Sequence, residues 1–445
     1  MSGDTLRHVI VIGAGFCGLS AAYELGKHGI RVTVFERDSD IGGLAGSFQV
    51  NGVRLEKFYH HWFTNDRYVM ELIKELNKQD QVLLRSTCTG MYYAHNFFKL
   101  STPVDLLKFS PLPFTDRIRL GLLALQARNI KNWRPLEERT ATDWLRDLGG
   151  KRVYRLVWEP LLRGKFGDVA EEVSAVWFWN KLKLRGGSRS RSGEEQLAYY
   201  RGGFAALADA VADAIRAQAG EIRTSSPVND LVVESGCVTG VVANGEVIPA
   251  DAVIATPALP VIANLVKSHV NSEYLKLLRR IRYLANICVV LELDRSLSDT
   301  YWLNVNDPGF PFVGVIEHTN FESFETYGGR HIVYLSKYLR ETDPLYRMSN
   351  NEIVDFTLAH LLRMFPEANR SWILDAHVWR AQHSQPIIER NYSKLIVPSE
   401  TPLNGLFVTT MAQIYPEDRG TNYAIRAGRV QARSLINRYN TTPET

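Results

Sequence analysis

Residues 8–36 read HVIVIGAGFCGLSAAYELGKHGIRVTVFE, and few folds admit such a stretch. Val9 to Ile12 form the β-branched run expected of a fully buried parallel strand. Gly13, Gly15 and Gly18 then supply GxGxxG. Leu19 to His28 predict a helix closed by Gly29 as a C-cap, and Ile30 to Phe35 predict a second strand ending at Glu36. Each part has a physical purpose. Gly13 permits the tight turn, Gly15 lets backbone approach a pyrophosphate, and Gly18 lets helix and strand pack closely. The helix N-terminus offers free N–H groups to the anion. Glu36 is placed to accept hydrogen bonds from a ribose 2′-OH, which favours an unphosphorylated ribose over the 2′-phosphate of NADP. The order of the elements, more than the glycines alone, marks this βαβ unit as dinucleotide-binding.

Asp40 to Gly46 continue as DIGGLAG, with a glycine pair at Gly42 and Gly43. Here the sequence resembles the superfamily of FAD-dependent amine oxidases, protoporphyrinogen oxidases and phytoene desaturases. In that group a second Gly-Gly motif lies against the flavin's phosphate and ribose, so the resemblance implies FAD. It places Gly13, Gly15, Phe16, Cys17, Gly18, Glu36, Arg37, Gly42, Gly43 and Leu44 at the cofactor.

The 445 residues are too many for one hydrophobic core and suit two intimately joined domains. Hydrophobic content of 45% and charged content of 22% are ordinary for a globular protein, and a net charge of +4 points to no nucleic-acid partner. Cys17, Cys88, Cys237 and Cys288 are scattered and form no CxxC, so neither a metal site nor a disulfide framework is expected. The chain enters its first strand within eight residues, leaving no room for a signal peptide, and no apolar run is long enough to span a bilayer. A cytoplasmic protein is expected, with peripheral contact at the inner face of the membrane as an option.

Residues 47–64, SFQVNGVRLEKFYHHWFT, predict a hairpin around Asn51-Gly52 followed by an aromatic and histidine cluster. In the relatives, and in the more distantly similar UDP-galactopyranose mutases, a histidine in this region approaches the flavin ring. His60 takes that place when Thr64 is aligned with the mutase pattern G-P-H-x-F-H-T, with Phe58 and Tyr59 replacing Gly-Pro. Residues 66–78 predict an amphipathic helix and 81–100 short strands. From Thr102 to Arg134 the chain turns helical, broken by Pro111 and Pro113. Lys and Arg outnumber Asp105 and Asp116 there, beside Leu106, Leu107, Phe109, Leu112 and Phe114. Such a face either seats on an anionic membrane or is simply solvated.

Residues 151–168 resemble a family stretch lining the substrate cavity, which makes Arg163 and Lys165 anion-binding candidates beside Trp158 and Phe166. KLKLRGGSRSRS, 181–192, reads as a mobile basic loop, either solvated or a lid gripping a phosphate or carboxylate. YYRGGFAALADAVADAI, from Tyr199, matches the superfamily's Gly-Gly-x-x-x-Leu pattern. The resemblance then carries an adenine contact to Val228 and a cofactor contact to Thr256, within a β-meander and a returning strand. Residues 281–380 predict strands with two helices and contain no acid pair or Ser/His arrangement of motif-like spacing. WRAQHSQP, 379–386, precedes the last segment of the FAD fold and is a candidate to face the flavin.

The last segment, 404–436, predicts a strand and then a helix from Thr421. Relatives end this strand in Gly-Asp; here Thr410 and Met411 stand in its place, which weakens transfer of that aspartate's contact. The resemblance still assigns Met411, Gly420, Thr421, Asn422 and Tyr423 to the flavin, with Glu417, Asp418 and Arg419 as a charged turn or a contact to flavin or substrate. The expected architecture is α/β. A discontinuous Rossmann-like FAD-binding domain (1–64, 199–275 and 385–445) is joined to a substrate domain of mixed sheet and helices (65–198 and 276–384). The expected activity is an FAD-dependent oxidoreductase passing hydride from an organic substrate to flavin N5, with His60, Arg163 and Lys165 as catalytic candidates. A mutase-like sugar isomerase and a non-catalytic flavin-binding subunit are the alternatives. Its partner is expected to be a small-molecule, lipid-linked or nucleotide-sugar substrate.

Overall fold

Val9 and Val11 point to one side of the first strand and Ile10 and Ile12 to the other, and all four are buried. A strand buried on both faces belongs in the middle of a covered parallel sheet. In the computed structural model, which describes residues 6–100, 102–187 and 196–440, that is where it lies. His8–Ile12 pairs in parallel with Arg31–Phe35 on one side and Ala252–Ala255 on the other. Glu221–Arg223 and Leu406–Val408 add parallel strands at the two edges. One sheet is thus assembled from three separated stretches of chain.

Helices Phe16–Gly26, Gly203–Ala217 and Thr421–Asn440 share the core on the face of Val9 and Val11. The opposite core, with Ile10 and Ile12, takes in Leu231 and Val241 of the antiparallel meander Val228–Glu234, Cys237–Ala243 and Glu246–Pro249. The first helix starts at Phe16, earlier than the glycine spacing predicts. Gly18 lies inside it because a Cβ there would meet the Gly13 carbonyl oxygen at 1.9 Å. Gly29 stands beyond the helix end, in the turn to the next strand, with φ of 75°.

A second sheet of seven strands runs Ile373–Pro386, Tyr283–Leu293, His331–Leu339, Gly314–Glu317, Trp302–Val305, Thr89–Tyr93 and Asn96–Lys99. Its pairs are antiparallel except Trp302–Val305 with Thr89–Tyr93. Helix Asn350–Met364 covers one face. From the other, Cys288, Val290, Ile316 and Tyr334 join the core beneath the parallel sheet, so the two sheets are packed as one body. Ser47–Val50 and Val53–Glu56 form the expected hairpin, with Asn51 and Gly52 at φ of 48° and 78°. Trp62–Phe63 pairs with Gln196–Tyr200, which brings His60 within 5.1 Å of the Phe204 ring.

The basic run at 181–192 departs from expectation. Lys181 and Lys183 belong to helix Ala175–Gly187, and the part of the predicted loop from Ser188 to Ser192 lies outside the described residues. Leu182, partly buried, packs with Phe178 and Trp179 on one core, which anchors this stretch as helix.

Candidate active site

The glycine loop and the second Gly-Gly motif meet backbone to backbone. The Gly42 N–H donates to the Ala14 carbonyl at 2.8 Å, and a Cβ on Gly15 would find only the Gly43 Cα, at 3.8 Å. Gly13 and Gly42 use φ of 98° and 110° to make this approach. No side chain caps the first helix, so its N-terminal N–H groups face the open side of Gly15. Glu36 closes the strand nearby and is 8% exposed. Its carboxylate accepts from the Ala14 N–H at 2.8 Å and the Asp38 N–H at 3.0 Å, which fixes it beside the loop with lone pairs to spare.

Not every residue carried over from the resemblance turns toward this cradle. The Phe16 side chain packs in the core against Phe204. The Cys17 thiol donates to the Thr409 carbonyl at 3.5 Å and is pushed up to about 12 by burial. Asn422 spends its side-chain oxygen on the backbone N–H groups of Tyr68 and Val69, capping helix Arg67–Glu75. The Thr256 hydroxyl donates to the Ile12 carbonyl at 2.8 Å and holds the two strands together beneath Gly13. Arg37 is exposed beside Asp38. Val228 opens the meander and Leu44 lies in the short turn Gly43–Ala45, both half-buried.

At the other end, Thr410 N-caps the turn Met411–Gln413, its hydroxyl accepting from the Ala412 N–H at 3.2 Å. This local role accounts for a threonine where relatives carry glycine. The final helix begins at Thr421, its first hydrogen bond running from Ala424 to the Gly420 carbonyl, and Gly420 has open space around it. Tyr423, two residues on, has the Arg426 guanidinium 4.9 Å from its ring centre.

Between these two ends Tyr59, His60, Lys165 and Arg419 are deep in the protein yet keep part of their surface uncovered. His60 Nδ1 lies 2.6 Å from the Phe58 carbonyl oxygen. A carbonyl only accepts, so Nδ1 carries the proton and Nε2 keeps its lone pair. Burial holds the imidazole down to about 4, aided by Arg419, so it is neutral at physiological pH.

Lys165 and Arg163 separate. Arg163 is 53% exposed and its guanidinium is held by Glu159 at 2.9 Å and Glu171 at 3.3 Å. Residues two apart on a helix do not share a face, so only Lys165 turns inward. The two anion-binding candidates thus stand in different surroundings, Arg163 at the surface and Lys165 inside. Lys165 Nζ lies 4.9 Å from the ring centres of Trp177 and Tyr338. Burial lowers its pKa far below the usual lysine range, and Lys181 and Arg419 add to this against the pull of Asp418.

Sequence reasoning missed Tyr338, while Gln385 lies in the run 379–386 that it offered as facing the flavin. Arg419 donates to the Tyr338 hydroxyl at 2.8 Å and to Gln385 Oε1 at 3.2 Å, while Gln385 Nε2 donates to Asp418 at 3.1 Å. The only signal for Tyr338 is its two-residue spacing from Ser336 and Tyr334 along one strand.

Comparison with known proteins bears on this site. Residues 16–436 match the family of flavin containing amine oxidoreductases. Coproporphyrinogen III oxidase of Propionibacterium freudenreichii subsp. freudenreichii is 24% identical over 323 residues, 58% of this chain and 58% of that protein. The mitochondrial protoporphyrinogen oxidase of Nicotiana tabacum is 26% identical over 175 residues, 38% of this chain and 35% of that protein. The chain thus spans between about a third and somewhat over half the length of these two curated relatives. Among solved structures, reduced UDP-galactopyranose mutase superposes with a TM-score of 0.76 at 15% identity, covering 99% of this chain and 96% of that one. At that identity the likeness is one of fold.

Proposed function

We propose a function that proceeds from one premise: this chain belongs to the family of flavin containing amine oxidoreductases. Its cofactor is FAD, and the residues present suit it. The open side of Gly15, the uncapped helix behind it and the buried Glu36 fit a pyrophosphate and a ribose, while the free space at Gly420 fits the approach of a ring system to the final helix. Glu36, the backbone from Gly13 to Gly18, Gly42, Gly43 and the start of the final helix would hold it. We take residues 1–64, 199–275 and 385–445 as the FAD-binding part, and 65–198 and 276–384 as the part that binds substrate.

The activity that fits best is oxidation of a C–H bond in an organic substrate. When bound, the flavin supplies the two-electron acceptor. The chain's own contribution is placement and environment. Tyr59 and Tyr338, partly uncovered beside Lys165 and Arg419, offer aromatic surface that excludes water and orients a carbon skeleton. Neutral His60 offers Nε2 as a proton acceptor, with its ring fixed by the Phe58 carbonyl. The observation that carries the reading is the glycine cradle itself, where the Gly42 N–H meets the Ala14 carbonyl, the open side of Gly15 is left free and the buried Glu36 is fixed beside it. An absorbance spectrum of the purified protein, followed by photoreduction and admission of air, tests it. A flavin band that bleaches and returns supports the reading, and a protein that takes up no flavin from added FAD overturns it.

A sugar isomerase is the second reading, favoured by the basic side chains Lys165 and Arg419 in the site, which suit a phosphorylated substrate. It predicts turnover of a nucleotide sugar by the reduced protein with no net consumption of electrons. Peripheral membrane contact also belongs to the proposal. Helix Phe114–Asn129 exposes Phe114, Ile118, Leu122 and Leu125 along one side while burying Leu120, Leu123 and Ala127 on the other. A helix that is apolar on both sides has a second apolar surface to cover. Among the described residues, no helix is long and apolar enough to cross a membrane.

A further inference from the structure

Lys165 enters the interior with only the Asp418 carboxylate, itself engaged elsewhere, to act on it. Its ammonium is surrounded by the rings of Phe166, Trp177 and Tyr338 at 5.8, 4.9 and 4.9 Å. Among the described residues, neither Lys165 nor Arg419 is ion-paired to a carboxylate, and the hydrogen bonds of Arg419 go to the neutral Tyr338 and Gln385. The acids nearby are already engaged. Asp418 is taken by Lys181 at 2.6 Å and by Gln385, and Glu417 by Arg426 at 2.8 Å. Three basic side chains, Lys165, Lys181 and Arg419, therefore lie around one carboxylate, Asp418, in a region largely removed from water. An isolated charge in such surroundings is strongly unfavourable, so the Lys165 amine holds its proton best beside an added anion. Lys165 and Arg419 meet at one side chain, the first over the Tyr338 ring and the second at its hydroxyl.

We propose that these basic side chains receive an oxyanion of the substrate, a carboxylate or phosphate seated between Lys165 and Arg419 beside the Tyr338 ring. The inference rests on the FAD-dependent reading only in taking this region as the substrate's. Arg419 supplies a planar pair of donors and Lys165 a compact point charge, a combination that grips an oxyanion from two sides. Asp418 and Lys181 hold the turn that presents Arg419, and Asp418 stops the cluster from expelling its own cations.

The test uses the flavin-loaded protein and three probes of similar size: benzoate, phenyl phosphate and the neutral benzamide. Binding is read by tryptophan fluorescence, and flavin content per protein is recorded on the same samples. Saturable binding of benzoate or phenyl phosphate, with benzamide weaker by roughly tenfold or more, is expected. The tighter of the two anions distinguishes a carboxylate substrate from a phosphorylated one. Lys165→Met, which keeps the side chain's bulk, should weaken the anions by a similar factor, and Lys165→Arg should restore much of the loss. Equal binding of benzamide, or anion binding unchanged in both Lys165→Met and Arg419→Gln, overturns the proposal. A loss of flavin in Lys165→Met with probe affinity intact would assign the cation to the cofactor and overturn it as well. A wild-type protein without flavin would instead refute the functional reading beneath it.

Discussion

Lys181 Nζ lies 2.6 Å from a carboxylate oxygen of Asp418, tying helix Ala175–Gly187 to the turn that precedes the final helix. Burial alone would raise the Asp418 carboxyl, but Lys181, Lys165 and Arg419 outweigh it and hold the group well below the usual carboxylate range. A depressed folded-state pKa gives stability that is complete above the unfolded value of about 3.9 and is lost as pH falls through the folded one. Asp418→Asn should therefore lower stability at neutral pH by about 3 kcal/mol, the lower end for a broken buried pair because Lys181 is partly exposed. The deficit should shrink below about pH 4, where the unfolded chain takes up a proton at this carboxyl and the folded one does not. Denaturant unfolding at both pH values checks it, and an equal deficit throughout would show that Asp418 acts by packing alone.

The glycines of the first loop divide into two kinds. At Gly15 a Cβ has room and the backbone is extended, with φ of −72°, so Gly15→Ala should fold. Its methyl group occupies the side offered to the pyrophosphate, and the purified variant should carry little flavin. At Gly18 the same methyl would meet the Gly13 carbonyl at 1.9 Å, so Gly18→Ala should destabilise the fold by about 3 kcal/mol or fail to express. Flavin content and the melting temperature of the two variants separate the effects. Full flavin occupancy in Gly15→Ala would move the cofactor away from this loop.

Much of this fold was legible because its signals are local. The strand Val9–Ile12, the GxGxxG turn and the Asn51-Gly52 hairpin follow from periodicity and from residues that tolerate positive φ. Gly428 was not legible. A Cβ there would meet the Cys17 carbonyl at 2.0 Å, so it exists to let the last helix lie on the first, a contact between chain ends that no spacing reveals. The site divides the same way. His60 and Lys165 stood out beside aromatic residues and glycines, whereas Tyr338 comes from an ordinary strand and acquires meaning only where Arg419 reaches it. Asn422 carries a second role that its place in the motif does not show, since its side-chain oxygen caps another helix.

The neutral state of His60 carries a pH signature. Burial depresses its pKa to about 4 and that of His318 to about 3, the latter with its ring bonded to the Tyr327 hydroxyl at 2.7 Å. Unfolded histidine titrates near 6.5, so the stability both contribute is complete above that value and is lost as pH falls toward 4 and below. Asp66, raised to about 6 by burial, titrates in the same window with the opposite sign, so bulk stability alone does not isolate the histidines. Imidazole resonances assigned with His60→Gln and His318→Gln give the direct check. A His60 signal titrating between pH 6 and 7, as a solvated histidine does, would remove it as a neutral proton acceptor in the site.

The outer side of helix Phe114–Asn129 makes the last prediction. Phe114, Ile118, Leu122 and Leu125 are 61%, 44%, 52% and 55% exposed, and Val104 and Leu107 are exposed on the adjoining helix Pro103–Lys108. Lys108, Arg119 and Arg128 surround them, whereas Arg117 is drawn inward to the Leu112 and Leu107 carbonyls. Each large apolar side chain gains roughly 2 kcal/mol on burial, and each basic residue about 1 kcal/mol beside an anionic surface. Together these suffice for reversible attachment to a bilayer. The protein should sediment with vesicles of anionic phospholipid and less with neutral ones. Changing Phe114, Ile118, Leu122 and Leu125 to serine should leave it in the supernatant with either lipid. Reversing the charge of Lys108, Arg119 and Arg128 should abolish only the preference for anionic lipid. If the wild type stays in solution with both, or sediments without vesicles as concentration rises, the stripe serves contact between protein chains instead.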